Sequence, residues 1–265
     1  MFKSLFLVIV FYAFILPSSL AANSSLSTNL STSDMAWIGE KIFQNETAGK
    51  VENLTFWSPN EEFPSFGIGH FIWIPQNIDV PFEPTFVEMV TFVSQTEPSP
   101  KWIQQRHAPW ANKAEFDQAW WSEDMQALRD WLVKTKPQQT EFIIQRFESR
   151  IETLLNGLTR HQATKVGAKI QTLSQTRAGH FALIDYANFK GFGDHPAERY
   201  QGQGWGLLQV LQAMPARSNP KLALLDFAQA AESVLAQRVK NAPVERNEQR
   251  WMPGWAKRVE NYATD

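Results

Sequence analysis

From Gly49 to Pro75 the chain abandons the helical spacing that governs nearly everything after it, and this change of texture constrains the fold most. The stretch is rich in Gly, Pro, Asn, Ser and aromatic residues, with short runs such as Leu54-Thr55-Phe56-Trp57 and Phe66 to Ile74. Short apolar runs between turn-forming residues predict a small hairpin or irregular sheet. After Pro81 apolar residues recur at helical spacing, predicting helices over about 84–94, 114–134, 137–157, 159–174, 178–189, 204–213, 219–240 and 247–262. In the longest of these, Leu224, Phe227, Ala228, Ala231, Val234 and Leu235 form one apolar stripe. A further helix is expected from Asp34 to Asn45, after Thr32 and Ser33, which can cap its free backbone N–H groups. The fold class that follows is mainly α (α+β): one helical domain over 34–265 with a small β-hairpin region near its N-terminus.

The first residues read as an address. Lys3 precedes an almost unbroken apolar run from Leu5 to Leu16, and small residues stand three and one before a cut after Ala21. That pattern over residues 1–21 predicts a secretory signal peptide. The apolar run is shorter than the roughly 20 residues a membrane-spanning helix needs, so no stable membrane insertion is expected after cleavage. Residues 22–33, Ser/Thr/Asn-rich, read as a flexible leader. The chain contains no cysteine, which excludes disulfides, a thiol nucleophile and zinc–cysteine sites. An exported chain without disulfides fits a bacterial envelope, periplasmic or secreted, better than an animal secretion. The sequons at Asn23, Asn29, Asn45 and Asn53 carry little weight, because such tripeptides arise by chance in stretches of this composition. Twenty-five basic against 27 acidic side chains, net −2, exclude a broad polybasic surface and hence nucleic acid as a partner of that kind. No P-loop, dinucleotide fingerprint, HExxH or EF-hand motif is present, and the histidines at 70, 107, 161, 180 and 195 share no helical metal-ligand spacing. Neither a cofactor nor a metal is expected.

Chemistry concentrates around the texture change. At 100° per residue, Met35, Ile38, Ile42 and Glu46 share one face of the first predicted helix, while Glu40 falls on the opposite, polar side. Asn45-Glu46-Thr47-Ala48-Gly49-Lys50 is followed by Glu61-Glu62-Phe63-Pro64-Ser65-Phe66-Gly67-Ile68-Gly69-His70. A carboxyl at a helix end before a Gly-Ile-Gly-His string resembles the catalytic region of the phage-type lysozymes, within the lysozyme-like superfamily. Further along, Ala182-Leu183-Ile184-Asp185-Tyr186-Ala187-Asn188-Phe189-Lys190-Gly191 resembles that family's central buried helix. Arg250-Trp251-Met252-Pro253-Gly254-Trp255-Ala256-Lys257-Arg258-Val259 resembles its last helices. The likeness covers roughly half of the chain after residue 21. Two departures stand out. The family usually places an Asp and then a Thr between the Glu and the Gly-His string, where this chain offers Glu61 or Glu62, and Ser65. The segment at about 81–160 has no counterpart and reads as a helical insertion.

The resemblance implies a lysozyme-like fold and cleavage of peptidoglycan glycan strands, with Glu46 as general acid, Glu62 or Glu61 as second carboxylate and Ser65 assisting. General acid catalysis near neutral pH needs a carboxyl kept protonated by burial, which an acid on an apolar helical face can achieve. The second carboxylate then stabilises positive charge on the sugar or activates water. Other superfamily members use one Glu and the sugar's own 6-hydroxyl, as lytic transglycosylases do. His70, Trp57, Trp73, Asn188, Tyr200, Gln203 and Trp205 are the candidate saccharide contacts, the indoles because sugar faces stack on them. Two rival classes stand beside this one: a non-catalytic cell-wall saccharide-binding protein, and an envelope protein using the 81–160 helices as a partner surface.

Overall fold

The computed structural model describes residues 30–80, 82–196 and 198–263. The expected signal peptide, and the leader up to residue 29, lie outside the described residues. What remains of the leader is not loose: Ser31 caps the first helix, α1 (Thr32–Thr47), its hydroxyl accepting from the Asp34 N–H while Asp34 returns the bond to the Ser31 N–H. The helix therefore starts two residues before Asp34, the expected start, and runs two past Asn45, the expected end. Ala48, at φ 54°, and Gly49, at φ 71°, end it in left-handed backbone, the conformation that closes many helices.

A three-stranded antiparallel sheet follows, in the order β1 (Thr55–Phe56), β2 (Ser65–Phe66), β3 (Phe71–Ile72). The register places Thr55 opposite Phe66 and Ser65 opposite Ile72. The rest is helical: α2 (Phe86–Val93), α3 (Lys113–Ala119), α4 (Glu123–Lys134), α5 (Lys136–Asn156), α6 (Arg160–Leu173), α7 (Arg177–Lys190), α8 (Leu207–Ala213), α9 (Pro220–Asn241) and α10 (Met252–Glu260). The helix expected over 114–134 is broken at Trp120–Ser122, because the Ser122 hydroxyl caps a new start at the Met125 N–H. The helix expected from 204 begins only at Leu207. Before it stands a second hairpin, β4 (Arg199–Tyr200) and β5 (Gln203–Gly204), turned by Gln201 and Gly202 with φ of 51° and 77°. Two consecutive left-handed residues make the tight turn that suits a two-residue hairpin loop.

One apolar core runs from α1 through the sheet to α5, α7 and α9. The 81–160 segment contributes to that core with Phe86, Phe116, Leu128 and Phe142. It also holds the sheet in place. Buried Arg129 donates to Thr55 Oγ1 at 2.9 Å, and buried Gln139 accepts the Ile68 N–H at 3.0 Å. Gln139 donates in turn to the Leu132 carbonyl at 2.7 Å. No helix among the described residues is long and apolar enough to cross a membrane.

Candidate active site

Glu46 sits in the last turn of α1, where the helix dipole disfavours a negative charge. Two groups from distant parts of the chain answer it. Arg258 of α10 donates through Nη2 to Glu46 Oε1, and His70 Nδ1 lies 3.1 Å from Oε2. Burial alone would raise the Glu46 carboxyl, but Arg258 and His70 outweigh it and hold the group at about 2, against an ordinary 4.5. This corrects one sequence expectation: on the apolar face of its helix Glu46 is an ionised carboxylate in this arrangement, not a protonated acid. The periodicity located the side chain correctly and could not show the arginine that meets it.

Arg258 is shared. Its Nε and Nη2 reach both oxygens of Asp185 at 2.9 and 2.8 Å, and Asp185, fully buried in α7, also accepts from Tyr262 and from Asn45 Nδ2. Neighbouring Asn45 and Glu46 are thus tied to one guanidinium system that crosses from α1 to α7 and α10. Asp185 is the buried hub of this network. Arg258 was missed as a site residue, although its spacing from Trp255 and Tyr262 puts all three on one helical face.

The hairpin side is built on strained backbone. His70 has φ 47°, left-handed and uncommon for a residue with a side chain. Gly67, at φ 71°, leaves no room for a Cβ, which would lie 2.4 Å from Gln139 Oε1. The Gly-Ile-Gly string therefore folds over Gln139 to deliver His70 to Glu46. Phe56 of β1 lies parallel to the imidazole, with ring centroids 6.5 Å apart, and remains 42% exposed.

Of the two candidates for the second carboxyl, Glu61 is electrostatically engaged with the site. Partial burial pushes its carboxyl up, and His70 is the charge that opposes this. The Trp57 indole fixes the loop that carries it, donating to the Glu61 carbonyl at 2.9 Å. Both glutamates are exposed, and Glu62 makes no hydrogen bond or ion pair with the described residues. Ser65 is buried on the central strand, its side chain on the opposite face from the core-packed Phe66.

The expected saccharide contacts divide. Asn188 is exposed and, with Gly69, lines a groove of about 670 Å³ between the hairpin, α5 and α7. Trp57, Trp73 and Trp205 are corrections. At 4%, 0% and 8% exposure they have no free face for a sugar, since burying indole surface is worth more to the fold. Trp73 packs among Phe66, Phe86, Trp102 and Trp110, and Trp205 is covered by the Arg238 guanidinium at 4.2 Å. Tyr200 and Gln203 are already engaged, Tyr200 donating to Glu248 at 3.0 Å and Gln203 Oε1 accepting from Asn241 at 3.0 Å. A Cβ on Gly204 would stand 2.8 Å from the Gln209 side chain. The exposed aromatics near the site are instead Phe56 and Phe82, the latter on the groove wall. In a strand as short as β1, alternation says that one of Phe56 and Trp57 faces out without saying which.

Among the described residues no group of three His, Asp or Glu side chains is placed to hold a metal ion. No family model matches the chain, no curated protein matches it, and no solved structure does.

Proposed function

We propose that this protein cleaves peptidoglycan glycan strands in the cell envelope, periplasmic or secreted, as a muramidase or lytic transglycosylase of lysozyme-like type. The observation that carries the reading is Glu46 held between Arg258 and His70 at the end of α1, with Glu61 within electrostatic reach of the same His70 and a groove lined by the adjoining Gly69. Their environments push the two carboxyls apart, Glu46 down and Glu61 up. Two acids separated in this way divide into an ionised partner and a proton donor. Glu61 then protonates the leaving glycosidic oxygen, and Glu46 takes the proton of the attacking hydroxyl. That hydroxyl belongs to water in the hydrolytic route and to the sugar's own C6 in the transglycosylase route. Glu46 recovers the donor role first assigned to it only where a bound glycan draws Arg258 or His70 off it. Phe56, exposed beside His70, offers the sugar-stacking face that the buried indoles do not.

Mass spectrometry of soluble products from purified peptidoglycan tests this. New reducing ends indicate hydrolysis, and 1,6-anhydro ends indicate the transglycosylase route. Binding without either product overturns the enzymatic reading in favour of a saccharide-binding protein, which the resting Glu46–Arg258 ion pair also suits.

A further inference from the structure

Beyond Arg258 the cations form a row. Arg258 lies over the Phe189 ring at 4.2 Å, Lys190 Nζ lies 3.9 Å from that ring and 3.4 Å from the Trp255 ring, and Arg238 covers Trp255 at 5.0 Å and Trp205 at 4.2 Å. The two ends are neutralised. Arg258 holds Asp185 and Glu46, and Arg238 makes a two-pronged pair with Glu248 at 2.8 and 2.9 Å. The middle does not match them: no carboxylate among the described residues is paired with Lys190 Nζ. Phe189, Lys190, Trp255 and Arg258 are nevertheless only partly buried.

We propose that Lys190 is the receptor for an anionic substituent of the ligand, a carboxylate carried on an amino sugar, held over Trp255 on the side of the site away from the hairpin. The proposal rests on the glycan reading above and specifies its substrate class as strands whose muramyl carboxyl is free rather than amide-linked to a peptide.

The physical case is one of charge balance. The charges that face Lys190 are Arg238 from α9, Glu248 from the 3-10 turn after it, Arg258 from α10 and Glu46 from α1. Burial first, then the neighbouring Arg238, lower the amine to about 6, so two aromatic faces do not compensate for its desolvation. A carboxylate placed at Nζ would supply the missing counter-charge and draw a proton onto the amine. Anion binding there is coupled to proton uptake above about pH 6 and becomes weaker as pH rises further. A group needing no negative charge would gain nothing from this arrangement.

The probes are N-acetylmuramic acid and its methyl ester, which differ in charge and little in shape and have no glycosidic bond to cleave. Affinities are measured by NMR titration of the full chain at about pH 5 and about pH 8. A charge-assisted contact is roughly twice as strong as a neutral one, and the acid is expected to bind about tenfold tighter than the ester at the lower pH, with a smaller ratio at the higher. In Lys190→Met the ratio falls to about one at either pH, and Lys190→Arg restores it at both. A preference for the acid that survives in Lys190→Met overturns the assignment to Lys190. Equal binding of acid and ester to the wild type overturns the Lys190 proposal while leaving the saccharide reading standing. Binding of neither overturns both.

Discussion

Replacing Arg258 by Met removes the one guanidinium that serves two carboxylates, Glu46 and fully buried Asp185, while keeping most of the side chain's packing against Phe189. In the wild type, Glu46 falls from 4.5 to about 2 on folding, a stabilisation on the order of 3 kcal/mol at about 1.4 kcal/mol per pK unit. The sign is that of a depressed acid: this stability is present above about 4.5 and is lost as pH falls through about 2. Without Arg258, Asp185 stays buried with no charged partner and Glu46 keeps only His70, and removing one side of such a pair costs about 3–5 kcal/mol. Lys190, freed of Arg258's repulsion, also faces Glu46, and together with His70 this favours the lower end of that range. Urea unfolding with a slope of about 2 kcal/mol/M converts this into a midpoint lowered by roughly 1.5–2.5 M at about pH 7. The pH dependence is the sharper check. Unpaired buried carboxyls titrate above their ordinary values, so the variant's deficit shrinks as the medium is brought down to about pH 4. A deficit below about 1 kcal/mol, or one that does not change with pH, would refute the buried-charge reasoning.

Other outcomes follow from the same site. Glycan cleavage should be strongest on the acid side and decline as Glu61 loses its proton above the ordinary Glu range, and in Glu61→Gln the rate should fall by about 10²-fold or more with that alkaline limb gone; an unchanged pH profile would clear Glu61 of the donor role. Gln139→Leu leaves the Ile68 N–H without its partner, so melting should drop by the equivalent of about 1–3 kcal/mol and activity with it, although Gln139 touches no substrate; a neutral result would mean that the Gly67–Gly69 turn holds itself. Phe56→Ala should weaken oligosaccharide binding in a fluorescence or calorimetric titration while shifting the melt little, because the ring is 42% exposed; unchanged affinity would remove it from the sugar path.

How far the sequence reached depends on the range of the interaction. The helices after Pro81 and the sheet before it follow from local spacing and turn chemistry, and both are present. The side of α1 that carries Glu46 was equally legible, because Ile38 and Ile42 mark that face within a few residues. Long-range partners were not. Arg258 stands 212 residues from Glu46, and a single chain offers no local mark of which arginine closes on which acid. The same gap explains the indoles. Trp57, Trp73 and Trp205 were placed beside the cleft by sequence neighbourhood, whereas packing decides which aromatic is spent on the core and which, like Phe56, remains outside. Tyr200 and Gln203 were legible as polar residues in a turn, and Glu248 and Asn241 took up their hydrogen-bonding capacity from further along the chain. Gln139 could not be picked out, since a glutamine in a helix is ordinarily a surface residue.

The most direct test is the product yield from purified peptidoglycan with Glu46→Gln, run beside wild type and Glu40→Gln. Gln keeps the shape of Glu46 but can neither carry its charge nor exchange its proton, and loss of acid–base catalysis is worth about 10²–10⁴-fold in rate. Glu40, exposed on the other side of the same helix and bonded to Gln44 and Lys136, supplies the control. The expected result is product from wild type and Glu40→Gln, and almost none from Glu46→Gln although it still binds the glycan. Product from Glu46→Gln at a rate near that of wild type would contradict the assignment of this carboxylate to the reaction.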